Sequence, residues 1–265
     1  MKLLIVTNMK RFILTIGTIL TVGCDPHIDS VYTGRSESKF LSDVSSGDLQ
    51  AVKAYLDKGG DINLQDEPGM TPLHHAVNGN WDGANINTIK YLIEKGANVN
   101  AIDDTHHTPL HLCNNKNIAA LLIEKGANVN AKTKRSGETP LFKATHGASQ
   151  GAAKSYQRYL ELTKTLLVKG ADVNVKLRSG SMLGYDEPYR DKTGDTVLHN
   201  AVRSYSEKHA MEVAKLLITH GANINERNII GNTPLDEALL NKRSKTAEHL
   251  REHGAKTGEE LKAVR

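Results

Sequence analysis

The sequence predicts an all-α solenoid of about six helix–turn–helix units joined by short β-hairpin fingers, and three observations lead to that fold class. A five-residue motif, Gly-Ala-Asn/Asp-Val/Ile-Asn, recurs with its glycine at positions 96, 126, 170 and 221. A second motif, Thr-Pro-Leu-His or a close variant, recurs with its threonine at positions 71, 108, 139, 196 and 233. Aromatic residues make up only 5% of the 265 residues, which favours an aliphatic core spread along an array over one large globular core.

The two motifs mark the two ends of a helix pair. The threonine is a competent N-cap, and the proline stands at the first helical position, where its missing N–H costs nothing. The glycine follows a helical apolar pattern such as Leu166-Leu167-Val168, and it is expected to end the second helix in a left-handed conformation. One helix pair cannot bury its own apolar face, so neighbouring units are expected to stack.

These motifs resemble the ankyrin repeat, which has a period of about 33 residues. The resemblance covers roughly Ser38 to Lys262. It implies that His74, His111 and His199 are structural and bond to neighbouring backbone and threonine groups. It implies that the last asparagine of each unit bonds across to the next finger-like loop. It also implies that the array binds other proteins, through its finger tips and the concave face of its inner helices.

The repeat units are expected at 38–66, 67–103, 104–133, 134–176, 191–228 and 229–265, and together they form a domain of residues 38–265. The terminal units deviate from the motif as caps do, and the last one is expected to add a short capping helix over 257–262. Extra residues are predicted between the two helices of three units, at 78–87, 146–157 and 203–209. One finger, 176–195, is about fourteen residues longer than the others.

Insertions in repeat arrays map to loops and often to binding surfaces. The long finger is rich in the Tyr, Met and Arg side chains that are enriched at interface cores. The alternative, that these segments are tolerated loops without a partner, stays open because long loops cost little entropy. The candidate partner-binding residues are Trp81, His106, His107, Arg135, Arg178, Met182, Tyr185, Asp186, Glu187, Tyr189 and Arg190.

The N-terminal segment has the pattern of a targeting signal. Lys10-Arg11 precede a short apolar run over 12–22 that ends at Gly23-Cys24, and this resembles a bacterial lipoprotein signal peptide of residues 1–23. The resemblance implies lipidation of Cys24, followed by a tether over 24–37. Asp25 favours the inner membrane, with the outer membrane left open, and either Met1 or Met9 can be the start. An uncleaved anchor and an ordinary export signal are the alternatives.

Charge and motif content argue against several function classes. Without residues 1–23 the chain has 31 basic and 30 acidic residues, so its basic character gives no reason to expect nucleic-acid binding. It carries no Walker A, G-x-S-x-G, H-E-x-x-H or C-x-x-C motif, so we expect no catalysis, metal or cofactor. Cys113 stands where the repeat has Ala and is expected to be a small buried residue; a catalytic cysteine and a Cys24–Cys113 disulfide are the alternatives.

The expected function is therefore non-enzymatic protein binding in the bacterial cell envelope, facing the periplasm and held to the membrane by the lipid alone. With its ankyrin-like repeats and its lipoprotein-like signal, the chain resembles immunity proteins of type VI secretion. That resemblance implies one partner, a secreted hydrolase toxin such as a phospholipase effector, bound by a chain that is monomeric when free. The alternative is a periplasmic scaffold or an accessory chaperone for an envelope enzyme.

Overall fold

A computed structural model of the chain describes residues 26–78, 85–150, 153–178 and 193–263. The chain divides into two compact units, Met1–Glu37 and Ser38–Arg265, and the second contains the repeats. Among the helices of the described ranges, none combines the length and the apolar character that crossing a bilayer requires. The lipidation residue Cys24 and the predicted signal peptide 1–23 lie outside the described residues.

The described residues form thirteen helices, six consecutive pairs and a last short helix, as the all-α solenoid requires. The first helices of the pairs are α1 (Pro26–Ser46), α3 (Pro72–Asn78), α5 (Pro109–Leu112), α7 (Pro140–Gln150), α9 (Val197–Val202) and α11 (Pro234–Leu240). The second helices are α2 (Leu49–Asp57), α4 (Ile86–Glu94), α6 (Lys116–Glu124), α8 (Ala153–Val168), α10 (Glu207–Thr219) and α12 (Ser244–Glu252). The capping helix is α13 (Gly258–Ala263).

The helix ends follow the chemistry of the two motifs. The threonine precedes the first helix from the second unit onward, and Thr108, Thr196 and Thr233 each form a capping box with the residue three positions later. The glycine that follows the second helix has positive φ, for example 97° at Gly96 and 93° at Gly126. Only glycine adopts that conformation without strain, so the chain reverses there and the helix ends.

One expectation about local structure was wrong. The extra residues of 146–157 lengthen the helices, so that α7 has 11 residues and α8 has 16, because Ala148, Tyr156 and Leu160 find buried positions at helical spacing. The tether over 24–37 stays a prediction; α1 begins at Pro26 and includes most of this range.

The fingers are turns, and no β-strands are assigned in the described ranges. Each is closed by one or two backbone bonds, such as Asp66 N–H to Met70 O at 3.1 Å, which is too few for a β ladder. The one isolated bridge pairs Lys176 with Thr196 at the base of the long finger. Successive fingers are also joined to each other, through Asp104 to Pro68, Lys134 to Thr105, Arg178 to Ser136 and Ile229 to Thr193, each N–H to carbonyl at 2.9–3.0 Å.

A ladder of asparagines runs the length of the array. The last Asn of each unit accepts a backbone N–H of the next unit and, from Asn100 onward, also donates to the carbonyl of its turn glycine. Asn100, for example, accepts from Asn128 N at 2.8 Å and donates to Gly126 O at 2.8 Å. These bonds reach the turn after the second helix of the next unit rather than its finger. The asparagine ladder consists of Asn63, Asn100, Asn130, Asn174 and Asn225.

Candidate protein-binding surface

The helical period separates the first helices into a buried side and a side that faces the fingers. Two positions after the threonine the motif leucine is at most 2% exposed in all five units, as at Leu73 and Leu235. Three positions further on stands a buried small residue such as Ala76 or Ala238. The positions four and seven after the threonine lie on a different side. We call the surface formed by these positions, the residue before each threonine and the finger tips the inner face.

The motif histidines hold the inner face together. In His111 the Nδ1 accepts the Thr108 backbone N–H at 3.0 Å, so the ring proton is on Nε2, which donates to Glu138 O of the next unit at 3.2 Å. His74 and His199 repeat this pattern with His107 O and Asn232 O. Burial lowers the pKa of His111 to about 4 and also lowers the pKa of His74 and His199, which keeps the rings neutral.

Two units replace the histidine, and each replacement fits its place. Phe142 is buried and uses only its backbone N–H, which donates to Thr139 Oγ1 at 3.3 Å. Asp236 accepts the Thr233 backbone N–H and hydroxyl at 2.8 and 2.9 Å. Its Oδ2 also accepts Gly258 N–H at 2.8 Å. An acceptor fits there because the capping helix α13 presents an N–H where the other units present a carbonyl.

The early part of the inner face carries small, partly exposed polar clusters. His75 Nε2 lies 2.7 Å from Asp66 Oδ2, with both side chains just over one-fifth exposed. On the next finger Asp103 accepts from Thr105 and from the His107 backbone. Burial alone would raise the pKa of Asp103, but these hydrogen bonds outweigh it and lower the pKa. Burial lowers the pKa of His107, whose ring meets His111 edge to face.

The late part of the inner face contains a buried ion triad. Arg203 Nε donates to Glu237 Oε2 at 2.8 Å, and its Nη2 donates to Asp195 Oδ1 at 3.2 Å. Both carboxylates are fully buried. Burial alone would lower the pKa of Arg203, but the bonds to Glu237 and Asp195 raise it. Asn228 and Asn232 donate to the same two acids, so the triad ties the last two units and the base of the long finger together.

The base of the long finger is closed on itself. Leu177 N–H donates to Asp195 O, and Gly194 N–H donates to Leu177 O, both at 2.9 Å. Lys176 Nζ lies 2.6 Å from Glu226 Oε1 in the next unit. The two described sides of this base are therefore held to each other and to the next unit.

The structure describes four of the predicted binding residues. His106, with φ of 63°, and His107 belong to one finger, Arg135 to the next, and Arg178 to the third. The backbone bonds between fingers bring these three fingers together. The side chains of Arg135 and Arg178 are exposed. His107 braces its own finger by bonding Thr105 Oγ1 at 2.6 Å. Trp81, Met182, Tyr185, Asp186, Glu187, Tyr189 and Arg190 lie outside the described residues.

Sequence reasoning missed an apolar finger tip. Ile229 and Ile230 are 62% and 57% exposed at the tip of the last finger, and Leu240 is 57% exposed at the end of α11. The equivalent tips are polar, Asp104-Thr105 and Lys134-Arg135. Two consecutive isoleucines inside a turn, between Asn228 and Gly231, are the signal that could have found this tip.

The described part of the chain contains one cysteine, and it is not an activated nucleophile. Cys113 is buried and its Sγ donates to Asn115 O at 3.2 Å. Burial raises the pKa of this thiol to about 12, so it stays protonated. The described part of the chain contains one group of side chains with metal-ligating geometry, His249, Glu252 and His253, and it lies on α12, away from the inner face.

Comparisons with known proteins agree with this architecture. The family described as ankyrin repeats (3 copies) matches residues 42–133 and 150–260, well over half of the chain. A crystal structure of an ankyrin repeat domain from Acinetobacter baumannii AYE is 26% identical, with a TM-score of 0.64, and covers 83% of this chain and 100% of its own. No curated protein matches significantly. Ankyrin repeats are protein-interaction modules that are generally not catalytic. The chain belongs to the ankyrin-repeat family.

Proposed function

We propose that this protein is a lipid-anchored immunity protein of the bacterial cell envelope, which binds one secreted toxin, a phospholipase-like hydrolase, through its inner face and blocks it. The observation that carries the proposal is the row of bonded fingers whose tips change from acidic through basic to apolar. Arg135 and Arg178 supply the basic part, and Ile229 and Ile230 the apolar part. Arg and exposed aliphatic side chains are suitable anchors in an interface.

The fixed geometry of the fingers favours a blocking role. Each described part of a finger is held by backbone bonds to its neighbour, so few degrees of freedom are lost when a partner binds. A phospholipase has an apolar rim around the cleft that accepts acyl chains. The isoleucine tip matches that rim in chemistry, and Ile229 N–H donates directly to Thr193 O at the base of the long finger.

The location in the envelope rests on the sequence. The segment before Cys24 has the charged start, short apolar run and small residue of a lipoprotein signal. The similar domain from Acinetobacter baumannii shows that a bacterium uses this architecture. Labelled palmitate should enter the wild-type protein in bacteria and should be absent from Cys24→Ser. Equal labelling of both proteins would refute the anchor.

The partner is tested by crosslinking the tagged protein in native envelopes and identifying the products by mass spectrometry. One stoichiometric secreted hydrolase, whose activity falls on mixing with the pure protein, is the expected result. A spread of resident envelope proteins with none dominant would refute the immunity role and leave the periplasmic scaffold or accessory chaperone.

The binding surface is tested with two variants and a matched control. Removing 179–192 and joining Arg178 to Thr193 by a short linker keeps the closed base of the finger, so binding should weaken at least about tenfold while the unfolding midpoint stays unchanged. The double variant Ile229→Ser, Ile230→Ser should also weaken binding. Val168→Ser, which changes a 76% exposed aliphatic side chain at the end of α8, should have no effect. Unchanged binding by both variants would place the interface elsewhere.

A further inference from the structure

We propose that the end of α12 is a binding site for Zn²⁺ or a similar late first-row divalent ion, with His249, Glu252 and His253 as its ligands. Each of these side chains offers one ligand atom, and the three atoms lie within 4.8 Å of one another. In the described residues no other three His, Cys, Asp or Glu side chains come together in this way. The site is separate from the inner face and adds to the proposed function without depending on it.

The spacing of the three residues on the helix brings them together. Positions i, i+3 and i+4 lie on one face of an α-helix, and His253 directly follows the last helical residue, Glu252. The two imidazole rings have their centroids 4.3 Å apart, and His249 Nδ1 lies 3.4 Å from Glu252 Oε2. The cluster is therefore already formed by local backbone geometry, and small side-chain rotations close it.

The required movement is modest. Ligand bonds of about 2.1 Å in a tetrahedral zinc site place ligand atoms about 3.4 Å apart. Glu252 is 64% exposed and His253 is exposed, so both can rotate toward an ion. The side chain of His249 is only 16% exposed and serves as the fixed ligand.

The hydrogen bonding of His253 prepares it as a ligand. Its Nδ1 lies 2.9 Å from His249 O, and because a carbonyl can only accept, Nδ1 carries the proton. The lone pair is then on Nε2, free to bind a metal. A backbone carbonyl that holds the non-ligating nitrogen is the usual second partner of a metal-bound histidine.

The electrostatics of the helix end favour a cation. The carbonyls of the last turn carry the negative end of the helix dipole, and Glu252 adds a carboxylate. The neighbouring Arg251 donates to Glu260 on α13 at 3.1 and 3.2 Å, so its charge is balanced there. Two imidazoles and one carboxylate are a donor set of zinc sites that keep an open position, and they suit late first-row ions better than Ca²⁺ or Mg²⁺.

The preceding unit contains a natural control. His220 follows α10 as His253 follows α12, and its Nδ1 lies 2.8 Å from Leu216 O in the same arrangement. Leu216 and Thr219 stand where the last unit has His249 and Glu252. The two helix ends therefore differ in the additional ligands and not in the way the histidine is held.

The test uses the full chain without a polyhistidine tag, titrated with Zn²⁺ by calorimetry and heated with and without the ion. We expect 1:1 binding and a raised Tm, because an ion that binds only the folded state stabilises it. His253→Ala and Glu252→Gln should each weaken binding at least about tenfold and reduce the rise in Tm. His220→Ala should match the wild type, and Ca²⁺ and Mg²⁺ should give no signal.

Glu252 is exposed, so Glu252→Gln keeps the test valid even if His253→Ala lowers the helix content. The proposal is overturned if Zn²⁺ does not bind, or if Glu252→Gln and the folded His253→Ala variant bind as the wild type does. Equal loss of affinity in His220→Ala would also overturn it, since the ion would then be held by scattered surface histidines.

Discussion

The first three units and the last three stack in the same way but differ in helix length and in the polar groups of their inner face. Among the first three, helices α3 to α6 have 4 to 9 residues, and the polar groups of the inner face are partly exposed. Among the last three, α8 has 16 residues and α10 has 13, an ion triad is buried, and the last finger tip is apolar. The asparagine ladder has the same geometry in both halves.

The difference shows which features of the array are general and which are particular to this chain. The ladder and the histidine bonds recur with the motif, so they stabilise any stack of such units. The triad formed by Asp195, Arg203 and Glu237 occurs once in the described residues, at the base of the long finger. We interpret it as the support that fixes this finger and the isoleucine tip relative to each other.

The largest effect is expected from removing the cation of the triad. Arg203→Leu removes the cation that balances two fully buried carboxylates, which costs about 3–5 kcal/mol in the free energy of unfolding. The matched change in the first half, His75→Leu, breaks a pair that is just over one-fifth exposed and should cost less than about 1 kcal/mol. Urea denaturation of both variants, with hydrogen exchange to locate the loss, measures the comparison.

A triple variant separates lost charge balance from lost packing. Arg203→Leu combined with Asp195→Asn and Glu237→Gln removes the buried charges together, so it should recover most of the stability lost by Arg203→Leu alone. If the triple variant is as unstable as the single one, charge is not what makes this half different, and shape at Arg203 is.

Sequence reasoning reached the general features because local motifs encode them. Thr108 and Gly126 act within a few residues of themselves, so spacing predicts their roles. The bond from His111 to Glu138 O, 27 residues away, follows from the resemblance to the ankyrin repeat. The triad was not predicted because Glu237 lies 34 residues from Arg203 and its role depends on how two units stack. The lengthening of α7 and α8 was not predicted because the extra residues of the repeat were expected to form a loop, although their apolar residues have helical spacing. The spacing of His249, Glu252 and His253 at i, i+3 and i+4 is visible in the sequence, but only the structure shows that their ligand atoms lie within 4.8 Å of one another.

The second effect concerns pH. The pKa of His111 is lowered from the usual 6.5 to about 4 in the folded state, so the unfolded chain binds the proton first as the pH falls. Stability is complete above pH 6.5 and is lost progressively as the pH falls toward 4, by about 3 kcal/mol for this residue. The main physical cause is burial, which disfavours the charged ring, and a protonated Nδ1 could also no longer accept the Thr108 N–H.

The measurement compares the wild type with His111→Phe, which copies the natural Phe142 of the fourth unit. The free energy of unfolding is measured for both proteins between pH 7.5 and 4.5. Both share the contribution of the carboxylates, so the free energy of unfolding should fall less steeply with pH in the variant, which lacks His111. The sixth unit, which uses Asp236 instead of histidine, should show no matching change in hydrogen exchange over this range. Parallel pH profiles would show that His111 does not contribute to the acid sensitivity.

The smallest effect tests whether the frame is uniform. Asn100→Ala in the first half and Asn174→Ala in the second each remove one accepted and one donated hydrogen bond, at 2.8 and 2.8 Å for Asn100 and at 2.8 and 3.0 Å for Asn174. Both side chains are exposed, so water replaces the lost partners and each variant should cost only about 1 kcal/mol. Thermal and urea unfolding of the pair should agree within about 0.5 kcal/mol, because the local geometry is the same. A clearly larger loss for Asn174 would mean that the second half depends on its frame more than the first, since the turn that Asn174 holds is followed by Glu226, the anchor of Lys176 at the base of the long finger.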